Sequence, residues 1–219
     1  LIIVFLSLFS IIFFNISLNF DIYLFNNKII NISFIVLAFV ILMNGTNFID
    51  GLNGLLLFYS LLVSLILLFL IRDEAYYANQ QLLLYFVVII ISLIFFNFPY
   101  AQIYVGDGGA YFIGYFLGYQ SIQVYNNVSN ISPFFIAVLL IYPVLEVFFS
   151  VLRRRIKKVG ISVPDNYHMH HIIQNFIIHR YSFQNIETSN FLSSVIIVLL
   201  ISIYSMVALL FAHSHLINI

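Results

Sequence analysis

The sequence contains no cysteine, which excludes disulfide bonds and thiolate metal sites. Charged residues are also scarce. Asp, Glu, Lys and Arg make up 7% of the 219 residues, whereas soluble domains carry about 25%. Water is therefore not the main solvent of this chain, and its zero net charge gives no information about partners.

Long apolar runs occupy most of the remaining sequence, which is 63% hydrophobic. The runs at 54–71 and 191–212 reach the roughly 20 residues that cross a bilayer core. We predict an all-α fold, a polytopic transmembrane bundle of about seven spans, with residues 1–219 forming a single membrane-embedded domain. The predicted spans are 1–18, 33–48, 54–71, 81–96, 110–125, 133–152 and 190–212.

The chain begins at Leu1, already inside an apolar run. It has neither the basic leader nor the small-residue cleavage site of a signal peptide. The simplest interpretation is a fragment that lacks its N-terminal part.

Basic residues predict the orientation. The segment 153–189 holds six of the eight Lys and Arg, so it is expected to be a cytoplasmic loop. Counting spans backwards places 49–53 and 97–110 on the same side. The loops expected outside are 19–32, 72–80 and 126–132, and the C-terminus is expected there as well.

Three acids lie within or against apolar sequence, where a charge at mid-bilayer costs about 2.5–3.5 kcal/mol. Asp50 and Asp107 could each be an interfacial helix cap. Glu146 is most simply paired with the arginines at 153–155. Asp107 also lies in "GDGG", where glycines permit close approach of a ligand and a helix start favours anions. A carboxylate there suits Mg²⁺, with Mn²⁺ as a substitute.

Other polar residues cluster on the expected cytoplasmic side. His168, His170 and His171 occur in "PDNYHMHH", without the further ligand or H-E-x-x-H pattern of a zinc site. Imidazoles that donate to phosphate or move a proton fit better. An arginine cluster serves as a topology signal or binds phosphate. Amides could contact a sugar or a base, or cap helices. The arginines and amides are Arg153, Arg154, Arg155, Asn44, Asn47, Asn53 and Asn97.

The segments "NGTNFIDGLNGL", "FNFPYAQIYVGDGGAYFIG", "YPVLEVFFSVLRRR" and "PDNYHMHH" occur in this order between residues 44 and 171. This pattern resembles the polyprenyl-phosphate N-acetylhexosamine-1-phosphate transferases, the glycosyltransferase family 4 type that includes MraY and WecA. The resemblance implies an Mg²⁺-dependent enzyme. It would transfer a sugar-1-phosphate from a UDP-N-acetylhexosamine to undecaprenyl phosphate and release UMP, for cell-envelope polysaccharide or peptidoglycan synthesis.

The resemblance also implies residue roles. Asp107 would bind the metal, and Asp50 and Asn47 would form part of the nucleotide-sugar site. Asn97 and Phe98 would border the nucleotide. The diphosphate would be held by His168, His170 and His171. The lipid or sugar end would be assisted by Arg153, Arg154 and Arg155. The protein would lie in the bacterial inner membrane with its active site on the cytoplasmic side. It would contact membrane lipid, form a homodimer and bind no nucleic acid.

The sequence departs from the family pattern at several points. Asn53 stands where a second acid is usual, "GDGGA" replaces "GDTGS", and an Asp is usual near Glu146. The family's paired Asp motif, expected before the first span, is absent from these 219 residues. If those acids help to deprotonate the lipid phosphate or to bind metal, a fragment without them should be inactive alone.

Two other classes of function compete with a transferase. A transporter or channel could use Asp50, Asp107 and Glu146 as a buried ion path, but it would need acids at mid-depth and matching broken helices. A purely structural subunit would leave the histidine and glycine clusters unexplained. We favour the transferase.

Overall fold

The computed structural model describes residues 2–19, 26–71, 77–158, 168–181 and 186–212. These residues form helices and connecting loops without any strand, which confirms the predicted all-α class. The helices in these ranges are α1 (Ile2–Phe13), α2 (Lys28–Ile49), α3 (Leu55–Leu70), α4 (Tyr77–Asn97), α5 (Gly106–Asn127), α6 (Pro133–Leu139), α7 (Ile141–Lys157), α8 (Met169–Tyr181) and α9 (Ile186–Leu210).

Several of these helices are suited to cross a membrane. In the described part of the chain, α2, α4 and α9 are long and apolar enough, and α6 with α7 would make a fourth, bent span. The helices α1 and α3 are apolar but have only 12 and 16 residues. A polytopic membrane protein is confirmed, whereas the count of seven spans is not. One helix, α8, lies in the segment 153–189 that was expected to be a loop.

The predicted sixth span, 133–152, is broken rather than continuous. Its two parts, α6 and α7, meet at Leu140 and are bent by 67°. Pro143 explains the position of the break, because it has no N–H to donate to the carbonyl of Leu139 and its ring crowds that carbonyl. The hydroxyl of Tyr59 lies 3.4 Å from the same carbonyl. The break turns α7 away from the direction of α6.

The helix α2 packs against both α5 and α7, and glycines make these contacts close. A Cβ at Gly45 would overlap the carbonyl of Pro143 on α7. A Cβ at Gly114 of α5 would lie 2.9 Å from the carbonyl of Leu42 on α2. The Thr46 hydroxyl of α2 donates across the same contact, 2.8 Å from the Ala110 carbonyl. The glycines of the fifth predicted span therefore serve helix packing.

Two inter-helix loops meet at one end of the bundle. The side-chain oxygen of Asn97 accepts from the Gly54 N–H at 2.6 Å, and the Asn53 side chain donates to the Pro99 carbonyl at 2.7 Å. The loop after α2 and the loop after α4 are thus on the same side. We call this the acid-bearing end, since Asp50 and Asp107 both lie there.

At the opposite end of the bundle, the segment after α1, the connection between α5 and α6, and the segment after α9 lie close together. The Asn126 side chain donates to the Ser17 carbonyl at 2.6 Å, and the Ser132 N–H donates to the Ala212 carbonyl at 2.9 Å. This grouping matches the alternation of loops counted from the sequence. Parts of two expected external loops, residues 20–25 and 72–76, lie outside the described residues.

Candidate functional site

Two carboxylates lie near each other at the acid-bearing end. Asp50 is the residue that ends α2, and Asp107 is in the first turn of α5, the helix packed alongside. Burial, and secondly the negative charge of Asp107, raise the pKa of Asp50 to about 6. A bound cation would relieve the repulsion between the two side chains.

The donor set at this point suits a hard divalent ion. Mg²⁺ is commonly held by one or two carboxylates together with substrate phosphates and water. In the described residues, no three His, Asp or Glu side chains converge as a complete ligand set. An ion held by Asp50 and Asp107 would need further ligands from outside these side chains, such as water or phosphate oxygens.

An amide and a phenol join the same two helices. The Asn47 side chain, on α2, donates to the hydroxyl of Tyr111 on α5 at 3.0 Å. Tyr111 lies one turn after Asp107, so both are on neighbouring positions of one helix face. Asn47 and Tyr111 thus add polar atoms beside the carboxylates.

The histidines pack against the end of α2. The His168 ring is 4.9 Å from the Phe48 ring, and the His170 ring lies where a Cβ on Gly51 would be. The rings of His168 and His170 are stacked at 5.6 Å, and those of His170 and His171 are 4.2 Å apart. Since Gly51 directly follows Asp50, the histidines and the acids occupy the same end of the bundle.

His170 has an unusual environment. It is 1% exposed, and neither ring nitrogen has a hydrogen-bond partner among the described residues. Burial, followed by the neighbouring His171 and His168, lowers its pKa to about 3. His170 is therefore a neutral imidazole, with one N–H donor and one acceptor nitrogen, enclosed within the histidine cluster.

Glu146 contacts this histidine cluster. Its Oε2 is 3.1 Å from Nδ1 of His168, and its Oε1 accepts from the Met169 N–H at 3.0 Å. The expected pairing with the arginine cluster is replaced by this contact. Arg153 follows seven residues later, about 10 Å farther along the helix axis, so the arginines lie away from Glu146.

Asn97 and Phe98, both expected to border a nucleotide, have structural contacts. Asn97 is 6% exposed, and besides its contact with Gly54 it donates to the Ile103 carbonyl at 2.7 Å. Phe98 is stacked on Phe191 with ring centroids 5.2 Å apart. These contacts fix the loop that leads from α4 to Asp107.

Asn44 and Asn53 are also occupied. The Asn44 side chain donates to the carbonyl of Val40, one turn earlier in its own helix, at 2.6 Å. The Asn53 side chain holds the Pro99 carbonyl, and its backbone N–H donates to the side chain of Asn190 at 3.0 Å. Asn53 therefore ties three segments together at the acid-bearing end.

Residues 1–125 of the chain match the family model described as Glycosyl transferase family 4. The chain belongs to this family. It is 32% identical over 162 residues to the "Probable undecaprenyl-phosphate N-acetylglucosaminyl 1-phosphate transferase" of Bacillus subtilis, covering 73% of this chain and 45% of the relative. It is 28% identical over 147 residues to the "Undecaprenyl-phosphate alpha-N-acetylglucosaminyl 1-phosphate transferase" of Thermotoga maritima, covering 66% and 43%. The chain thus spans about half the length of these relatives.

The family 4 match includes both carboxylates but ends before Glu146 and the histidines. It also includes most of an apolar groove of about 760 Å³ between α1, α2 and α5. Leu6 and Phe9 line the groove from α1, and Met43 lines it from α2. At one point it reaches Gly108, next to Asp107. An apolar cavity of this kind is open to a hydrocarbon chain.

The sequence contained a signal for one residue of this candidate site that we did not predict. Tyr111 lies four residues after Asp107, a spacing that places both on one helix face. The contact of Glu146 with His168 had no such local signal, because the two are 22 residues apart on different helices.

Proposed function

We propose that the full-length protein transfers N-acetylhexosamine-1-phosphate from a UDP-sugar to undecaprenyl phosphate and releases UMP. One observation carries the proposal: His170 packs on Gly51, directly after Asp50, and the charge of Asp107 is near enough to help raise the pKa of Asp50. Groups suited to a metal and groups suited to phosphate oxygens thus lie at one end of the bundle. Phosphoryl transfer needs such positioning and neutralisation of charge.

In this proposal Asp107 holds Mg²⁺ or Mn²⁺, with Asp50 beside it. The bound ion supplies neutralisation of the negative oxygens of the donor diphosphate. His168 and His171 contribute N–H groups to those oxygens, while His170 stays neutral and keeps the cluster packed against α2. Family 4 enzymes of this kind are generally metal-dependent, and the pair of carboxylates is the feature of this chain that suits such an ion.

The acceptor in this proposal is the phosphate of the lipid. A new P–O bond joins an oxygen of undecaprenyl phosphate to the phosphorus that carries the sugar. The bond between that phosphorus and the bridging oxygen of UMP breaks, so UMP leaves with the electron pair. The groove beside Gly108 is apolar and accommodates part of the polyprenyl chain.

The relatives' names suggest N-acetylglucosamine as the first sugar to test. We place the protein in the bacterial inner membrane with the acid-bearing end on the cytoplasmic side, where nucleotide sugars are found. The product, a lipid-linked diphosphate sugar, suits the start of a cell-envelope polysaccharide or of peptidoglycan. Arg153, Arg154 and Arg155 remain candidates for contact with lipid phosphate.

The competing transporter has less support. Asp50 ends α2 and Asp107 begins α5, so both acids lie at helix ends rather than at mid-depth. In the described part of the chain one broken helix pair occurs, α6 with α7. A transporter built from repeats would need matching breaks in two halves.

The test uses the purified full-length protein in lipid nanodiscs with undecaprenyl phosphate, Mg²⁺ and UDP-N-acetylglucosamine labelled in the sugar. We expect UMP and labelled lipid to form in equal amounts. Asp107→Asn should reduce the rate at least about 100-fold, since it removes a charge that holds the ion. Glu187→Gln, at the start of α9, is the matched control. Unchanged activity in Asp107→Asn contradicts the metal role, and no labelled lipid with the wild type contradicts the function.

A further inference from the structure

Glu146 is a buried carboxylate with two defined partners. It is 3% exposed, and each of its oxygens has its own hydrogen-bond partner, Nδ1 of His168 at 3.1 Å and the N–H of Met169 at 3.0 Å. A buried carboxylate without partners is strongly unfavourable. These two contacts therefore explain how the acid is tolerated inside the bundle.

The position of Glu146 follows from the fold around it. The break at Leu140 redirects α7, and close packing of Gly45 on Pro143 holds the first turn of α7 against α2. Glu146 lies one turn after Tyr142 and is thereby brought to the start of α8. Met169 is the first residue of α8, and a negative charge is favourable at a helix N-terminus.

The contact determines which nitrogen of His168 carries hydrogen. A carboxylate only accepts hydrogen bonds, so Nδ1 of His168 must be the donor. In the protonated ring both nitrogens carry hydrogen, so the N–H of Nε2 is then the one that can donate to a phosphate oxygen. The ring itself is held beside Phe48, two residues before Asp50.

We propose that Glu146 is a positioning residue that acts through His168: it fixes the ring and accepts its Nδ1 hydrogen, so that the Nε2 N–H of the doubly protonated ring donates to the diphosphate of the donor. This rests on the proposed function. Carboxylates that orient a working histidine are a general device, because the partner sets both tautomer and ring orientation. Glu146 itself touches no substrate in this account.

The substitution Glu146→Gln tests the idea with little change in shape. The Met169 N–H requires an acceptor, so the amide oxygen would face Met169 and the amide NH₂ would face Nδ1 of His168. A donor in that position removes the hydrogen from Nδ1, so the ring of His168 keeps a single hydrogen, on Nε2, and brings no positive charge to the diphosphate. The packing is kept while the hydrogen-bond direction at the ring is reversed.

A double-mutant cycle in the full-length protein separates positioning from a direct role. We expect Glu146→Gln to lower kcat for UMP release about 100-fold, at the lower end of the range of general acid–base contributions, with less than about a threefold change in KM for the UDP-sugar. His168→Gln should lower kcat to a similar extent, and the double variant should be no slower than His168→Gln alone. Glu187→Gln should retain wild-type kcat.

The second readout is independent of catalysis. In protein labelled with ¹⁵N-histidine, the signal of His168 is assigned by its loss in His168→Gln. We expect Nδ1 to carry hydrogen in the wild type and to lose it in Glu146→Gln. An inactive wild type would contradict the proposed function, while this spectrum would still decide the Glu146 contact.

Three outcomes overturn the inference. The first is wild-type kcat in Glu146→Gln. The second is a double variant in which the two losses multiply, because Glu146 would then act independently of His168. The third is an unchanged state of Nδ1 in Glu146→Gln.

Discussion

Adding one methyl group at Gly51 should disrupt the site without changing any polar side chain. A Cβ at this position would overlap Nε2 of His170 and lie 2.9 Å from the two adjacent ring carbons. Contacts below 3.0 Å are essentially never found for real Cβ atoms. The His170 ring in Gly51→Ala must therefore move by about 1 Å, and it is buried among the other histidines. Its movement would displace the adjacent rings of His168 and His171, which contribute the N–H groups in the proposed mechanism. A displacement of about 1 Å at a reacting group costs about 100-fold in rate, so we expect kcat for UMP release to fall by about that factor.

Gly118→Ala is the matched control for this experiment. Its Cβ would lie 2.8 Å from the buried ring of Phe39, a comparable clash. It is in the same helix as Asp107 but 11 residues later, about 16 Å along the axis. Both variants should lose about 1–3 kcal/mol of stability from overpacking, which thermal unfolding in detergent reports. Only Gly51→Ala should lose kcat per folded molecule. Equal kcat in the two variants would refute the role of the contact between Gly51 and His170.

Two further predictions concern pH and orientation. Because the pKa of His170 falls from its usual 6.5 to about 3 on folding, its contribution to stability is full above pH 6.5 and is lost as the pH falls towards 3. Between pH 6.5 and pH 5 this loss is about 2 kcal/mol. The thermal midpoint should therefore fall less between these pH values in His170→Gln than in the wild type. An identical fall in both proteins would disprove this contribution of His170. Since the protein has no cysteine, Gln102→Cys in the loop after α4 should react with an impermeant maleimide only after cells are opened. Ser129→Cys at the opposite end should react in intact cells, and the reverse pattern would contradict the assigned orientation.

The helical fold was predictable because apolar runs of span length leave few alternatives in a membrane. The break within the span predicted at 133–152 was missed, although Pro143 supplied a local signal for it. The first predicted span, 1–18, was too long, since α1 ends at Phe13. A hydropathy pattern reports where a segment is apolar and not where its helix ends.

The sequence also indicated which residues could meet, but not how they pair. Asp50, Asp107 and the histidines were expected at one end, and the structure brings them together. The pairing of Glu146 was wrong, because the arginines that follow it on the same helix were nearer in sequence than His168. The contact between Glu146 and His168 depends on the packing of the start of α8 against α7, which is a tertiary feature. Asn97 illustrates the same limit, since no local pattern indicated that its side chain would hold two backbone segments together.

The central claim is that Asp107, with Asp50, forms one divalent-ion site beside the histidine cluster. The most direct measurement is Mn²⁺ binding to the full-length protein in the presence of UDP, followed by electron paramagnetic resonance. The account predicts one bound Mn²⁺ in the wild type, at least about tenfold weaker binding in Asp107→Asn, and little change in Glu187→Gln. Wild-type Mn²⁺ affinity in Asp107→Asn would contradict the account.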